Sequence, residues 1–361
     1  MSAQVQPPSS SPLRRILFAQ ESGLVLVIVL MMAGLTFFGG TKNKRIADPL
    51  KPGEWTVVQV NKFLDAENLV LLAKDASFVA IMAVGMTAVI VMGGIDLSVG
   101  SIYAVAALLG AMALRALQSQ WGDQVAPAYL SIPIGVGLCC LAGAACGALN
   151  GSMVVGLRVH PFIITLGMMA VLRGVAFVST KGQSIVGFPE SYTSGFFKAQ
   201  FFGVRPVPVL VMLAVVLAGH LILTRFLLGR RTYAIGGNET AAQYAGIPVG
   251  RVKIIVYTLM GMLAGLSGAV SLGYLGAATS NDGMGYELNV IAAAVIGGAS
   301  LTGGRGTALG AVLGAILIQL ITNAMLILDI DTNYTQIVMG IATVAAVVLD
   351  QVKARFLPSG R

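Results

Sequence analysis

Asp96 stands in the segment Gly93-Gly94-Ile95-Asp96-Leu97-Ser98-Val99-Gly100-Ser101, which ends one long apolar run and begins another with no polar linker. Paired glycines break a helix, and backbone groups freed at membrane depth need partners. The Asp96 carboxylate and the hydroxyls of Ser98 and Ser101 are able to supply them. An acid inside a membrane is a candidate for handling solute or ions. An acid or hydroxyl at a helix start is also an ordinary cap. We expect the break to lie near the membrane interface, with Asp96 or Ser98 as cap. Asn150, Thr165 and Asn323 are further polar groups at or within apolar runs. They could line a path by hydrogen bonding, but such groups more often cap or bridge helices, at about 0.6 kcal/mol each.

Enzyme chemistry has little to work with. The chain has two histidines, His160 and His220, and neither belongs to a Ser/His/Asp set or a zinc motif. Gly303-Gly304-Arg305-Gly306-Thr307 is glycine-rich but lacks the lysine and preceding strand of a nucleotide-binding phosphate loop. Cys139, Cys140 and Cys146 share one apolar run and read as small packing residues. No cofactor or metal is called for.

A different signal comes from Arg230–Lys253, where Asn238 through Ile247 reads as a short isolated helix. Asn238 is a good N-cap and Glu239 suits the positive first turn. Gly246 suits the stop, and Pro248 forbids continuation. So short a helix is not stable alone, so its own membrane domain or a partner must hold it. Ala241, Ala242 and Ala245 are small enough to permit close contact.

The elements that position these residues are membrane helices. Of 361 residues, 56% are hydrophobic and only 11% charged, whereas soluble domains carry about 25% charged residues. Barrel strands alternate apolar and polar residues. The runs here are continuously apolar, so helices are expected, and 45 glycines suit their close packing. The fold class is an all-α polytopic membrane helix bundle of about ten transmembrane helices. They are expected near Leu17–Phe38, Ser77–Ile95, Val99–Leu117, Tyr129–Leu149, Phe162–Ser179, Val207–Leu228, Ile254–Leu272, Leu288–Leu301, Ala308–Leu328 and Thr335–Leu349. Residues 1–13 read as a disordered tail and 14–361 as a single transmembrane domain. Thr41–Glu67 reads as a long polar loop, and Asn68–Lys74 as a short interfacial helix. Asp75, Arg115 and Arg173 are taken to lie near span ends. Bases at Arg14, Arg15, Arg158, Arg225–Lys253, Arg305, Lys353, Arg355 and Arg361 fall on one side of this topology, which places both termini in the cytoplasm. The net charge of +8 follows that rule and implies no nucleic-acid partner.

Taken in order, several blocks resemble the permease subunits of bacterial sugar ABC importers, the group that includes ribose, xylose and galactose permeases. They are Gly94–Ser101, Asn150-Gly151, Pro161–Gly167, Gly237-Asn238-Glu239 with Ala241-Ala242 and Gly246-Ile247, Lys253, Tyr257, Tyr286-Glu287-Leu288, Gly297-Gly298, Ser300-Leu301 and Gly303-Gly304. The long charged loop Thr41–Glu67 departs from the pattern. The resemblance implies a multi-pass protein of the bacterial inner membrane with an ABC ATPase subunit and an extracytoplasmic sugar-binding protein as partners. It also implies a second permease chain, as a homodimer, completing the pore in the lipid bilayer. The Asn238–Ile247 helix, with Gly237, would then couple to the ATPase. The competing reading is an ion-coupled secondary transporter, which usually keeps ionisable residues within its spans.

Overall fold

A computed structural model describes residues 20–47, 55–201, 203–331, 334–341, 344 and 348. The expected tail 1–13 and much of the expected span Thr335–Leu349 lie outside these residues; within that span, 335–341 are helical. The elements are helix α1 (Gln20–Phe38), strands β1 (Thr41–Ala47) and β2 (Trp55–Asn61), then α2 (Ala66–Val91), α3 (Val99–Trp121), α4 (Ala128–Leu157), α5 (Pro161–Thr180), α6 (Val207–Arg225), α7 (Leu227–Gly237), α8 (Glu239–Tyr244), α9 (Val249–Leu275), α10 (Tyr286–Ile296) and α11 (Ala308–Ile327). Among the described residues eight helices are long and apolar enough to cross a membrane: α1 to α6, α9 and α11.

Helices in lipid gain little from hiding apolar surface from one another, so small residues that admit close backbone packing decide which pairs meet. The most extensive pair is α4 with α9. Gly143, Gly147 and Gly151, spaced by four on α4, lie along α9, the first two against Gly261 and the last against Ile254 and Tyr257. A Cβ on Gly143 would strike the Gly261 carbonyl, and one on Gly147 would strike the Tyr257 carbonyl. This glycine stripe is plain in the sequence, but only the fold shows which helix fills it. The bundle centre is α2, whose residues from Ala76 to Val91 are nearly all buried; it packs on α9, α10, α11 and α6. Cys139 is buried and all three cysteines are free, as expected of packing residues.

Three expectations change. Thr41–Glu67 carries an antiparallel hairpin, with Thr41 opposite Asn61 and Ala47 opposite Trp55. Residues 55–60 are rich in β-branched and aromatic side chains, which suit a strand. Lys42 and Lys44 close on Asp65 at 2.6 and 2.7 Å and hold its carboxyl down at about 2. That clamp is fully formed above the ordinary pKa of 3.8 and is lost as pH falls toward 2. Asn68–Lys74 is no separate helix but the opening of α2. The expected span Leu288–Leu301 is an 11-residue helix, α10, about 16 Å long and too short to cross. The preceding segment, residues 276–285, dips back into the bundle until Gly283 meets Gly100 in the first turn of α3. Non-helical backbone at this depth is tolerated because it is buried in protein. Arg173 lies about 18 Å along α5 from Pro161 and about 10 Å from its other end.

The helices have two ends. At one end the hairpin sits beside the C-terminus of α11, with Lys62 paired to Asp329 at 2.6 Å. The loops after α3, α5 and α9 gather there, and Ile185 pairs with Ala278. Within the loop from Lys181 to Pro206, Phe197 is buried against Gly273 and Tyr192 donates to the Ala269 carbonyl at 2.9 Å. The opposite end holds α7, α8 and the start of α11, where Thr307 donates to Glu21 at 3.0 Å.

Candidate functional site

Two places gather the residues singled out above. The first is the break between α2 and α3. α2 ends by curling back. Gly93 donates to Ile90 and Gly94 to Val89, at 2.8 and 2.9 Å, with Gly93 left-handed at φ +85°. Glycine tolerates that angle without penalty. The chain then enters the turn holding Asp96. Asp96 Oδ1 accepts from the Ser98 amide at 2.9 Å and the Ser98 hydroxyl at 2.6 Å. The Asn150 side-chain amide donates to Ser98 Oγ at 2.7 Å and to Asp96 Oδ2 at 3.4 Å. Two further hydroxyls, of Thr165 on α5 and Tyr257 on α9, donate to the Ile95 carbonyl at 3.4 and 3.3 Å. Ser101 donates to the Met169 carbonyl of α5 at 2.9 Å. Asp96, Ser98, Ser101, Asn150 and Thr165 thus form one fully buried polar knot joining α3, α4 and α5.

The break follows the end of α2 and lies level with Tyr257, about 12 Å along α9 from its first residue. Ser98 is the residue before α3, yet its side chain caps no α3 amide. Its hydroxyl is spent on Asp96 and Asn150. Asn323 stands apart. It exchanges hydrogen bonds with Asn68 at 2.7 and 3.3 Å, tying α11 to α2 near the hairpin end.

The second place is α7–α8. Asn238 caps α8 by accepting from the Ala241 amide at 2.9 Å, and Glu239 pairs with Lys253 on α9 at 2.7 Å. Gly246 is left-handed at φ +79°, and the Ile247 amide returns to the Ala242 carbonyl at 3.0 Å. Ala242 is buried in the chain's own core, whereas Gly237, Ala241, Ala245 and Gly246 are exposed and Tyr244 is 89% exposed. The small helix is therefore held by its own domain on one side and open on the other.

α7 connects the two places. Gly236, which sequence reading passed over, lies so tightly on the Val91 carbonyl and on the Gly304 amide that no side chain fits. The same Val91 carbonyl accepts from Gly304 at 2.8 Å, and Tyr233 donates to the Gly306 carbonyl. Residues 297–304 form a second helix break. Gly297, Gly298 and Ala299 curl back as Met92, Gly93 and Gly94 do, with Gly298 left-handed at φ +96°. The turns align Gly93 with Gly298. Any displacement of α7 thus bears on both breaks at once.

Residues 68–347 match the family described as branched-chain amino acid transport system permease components. The chain is 41% identical over 294 residues to the ribose import permease of Escherichia coli K12, covering 81% of this chain and 88% of that one. It is 39% identical over 289 residues to the D-allose transport system permease of the same strain, covering 80% and 85%. Against the autoinducer 2 import system permease of Klebsiella pneumoniae, identity is 35% over 284 residues, covering 79% and 78%.

Proposed function

The chain belongs to this family of transport-system permease components, a multi-pass membrane protein and not an enzyme, and on that premise we propose that two copies form the pathway of an ATP-driven importer for a monosaccharide or similar polyhydroxylated solute. An ATPase subunit binds at the α8 end and a solute-loaded binding protein at the hairpin end. The single observation that carries the ATP-driven reading is α7–α8. It is an ordered, exposed element that touches both helix breaks, as a subunit driven from outside the bilayer requires. The sugar reading rests on the relatives, whose names include ribose and D-allose. The autoinducer 2 relative marks the spread of cargo that this scaffold serves.

Reconstitution tests the energetics. The purified chain alone is expected neither to bind nor to hydrolyse ATP, because it carries no nucleotide cradle. Uptake of labelled ribose or allose into vesicles is expected to need both the ATPase and the binding protein. Uptake by the chain alone, driven by a proton or sodium gradient, would overturn this in favour of secondary transport.

Orientation is tested separately. With α7–α8 cytoplasmic, a cysteine at exposed Asn238 is expected to resist an impermeant thiol reagent in intact cells. One at exposed Glu190, in the loop after α5, is expected to react. The reverse pattern inverts the topology.

A further inference from the structure

A second polar cluster lies nearer the hairpin end, built from α3, α5, α10 and the dipping segment 276–285. α5 packs on α3 and α4, and α10 on α2 and α11. Arg173 spans the interval between α5 and α10. Its Nη1 donates to the carbonyls of Ser280 and Asp282 at 2.6 and 2.8 Å. The Asp282 carboxylate shapes that turn by accepting from the Thr279 amide and hydroxyl at 2.8 and 2.7 Å. Next to it, Tyr103 and Tyr286 lie with ring centroids 5.5 Å apart, tilted by 53°. Glu287, in the first turn of α10, points at the start of α3. There its Oε2 would stand 2.6 Å from a Cβ on Gly100.

A strut between helices accounts for Arg173 Nη1 but not for the rest. Glu287 Oε2 is buried without a hydrogen-bond partner among the described residues. Buried polar atoms are nearly always satisfied, and leaving a charged one bare is costly. Arg173 and Glu287 do not close into an ion pair among the described residues. Opposite charges at membrane depth that stand apart suit something that fits between them. A polyhydroxylated solute has the matching chemistry. Its hydroxyls donate to the carboxylate and accept from the guanidinium, while its C–H face lies on a tyrosine ring.

We propose that Glu287 and Arg173, walled by Tyr103 and Tyr286, form a transit site that grips the hydroxyls of the solute as it passes. The assignment rests on the sugar-permease reading above. The test uses the complete complex of this chain, ATPase and binding protein in vesicles, with labelled ribose and allose as probes. Ribose uptake and ATP hydrolysis are measured on the same vesicles. Glu287→Gln keeps shape but loses the charged acceptor, and is expected to lower uptake about tenfold. Hydrolysis and melting temperature should stay near wild type, so that ATP consumed per ribose rises by a similar factor. A merely structural role would not move that ratio in a complex of unchanged stability. If Glu287→Gln does not assemble, Arg173→Lys, which keeps the charge and loses the fork, takes its place with the same expectation. An assembled variant importing at the wild-type rate overturns the proposal. Wild-type vesicles that import neither sugar overturn the sugar reading itself, without recourse to any variant, and this assignment falls with it.

Discussion

Arginine at both Ala241 and Ala245 is expected to abolish ATP-driven uptake while leaving membrane insertion intact. Both alanines lie on the exposed side of α8, beside Tyr244. Six residues make too little helix to stand alone. α8 is instead held by the Asn238 cap, the Glu239–Lys253 pair at 2.7 Å and the buried Ala242. A preformed element of this kind loses little entropy on docking, and small side chains allow close approach. Two arginines add bulk and charge at a face that must be desolvated, enough to weaken association by about a hundredfold or more. Copurification of the ATPase and uptake in vesicles are the measurements. Ala242→Arg serves as the contrast. It strikes the chain's own core, so it should lower the melting temperature, which the exposed pair should not. Normal ATPase binding and import by the double variant would reduce α8 to a connector.

The second large effect is expected at Asp96. Asp96→Leu removes the acceptor of the Ser98 amide and hydroxyl in a site with no solvent exposure. Two orphaned buried donors cost about 1–3 kcal/mol each, a large part of the stability of a typical domain. The yield of folded, assembled protein should fall about tenfold or more. Asp96→Asn keeps Oδ1 as an acceptor for both groups and gives up only the long 3.4 Å bond from Asn150. It should therefore retain most uptake. An Asn variant that assembles at wild-type levels but carries no solute would show that the charge itself is used. A Leu variant with normal yield and melting temperature would show that the knot contributes little to stability.

The two variants act on linked parts of the molecule. α7 rests on the Val91 carbonyl through Gly236 and on the second break through Gly303 and Tyr233. The Asp96 turn begins a few residues beyond Val91. α7 thus meets backbone at both breaks, and a packed interior is stiff.

Membrane class, the long helices and α8 were legible in the sequence because each is written in neighbouring residues. Continuous apolar runs set the spans, and Asn238, Gly246 and Pro248 mark one short helix as a local matter of caps and stops. The paired glycines Gly93-Gly94 marked one helix break. The hairpin was hidden because strand pairing joins residues 41–47 to residues 55–61, and the β-rich run 55–60 does not by itself name its partner. α10 was misjudged because the apolar stretch of residues 288–301 has a span's composition, while its stop at Gly297 and the dipping segment before it come from packing on α3 and α11. The sequence does not say how one helix is staggered against its neighbours. Asp96 meeting Asn150, and Arg173 meeting Ser280 and Asp282, are encounters between segments far apart in the chain. Composition requires that buried polar groups find partners; only the tertiary stagger of the helices chooses which ones.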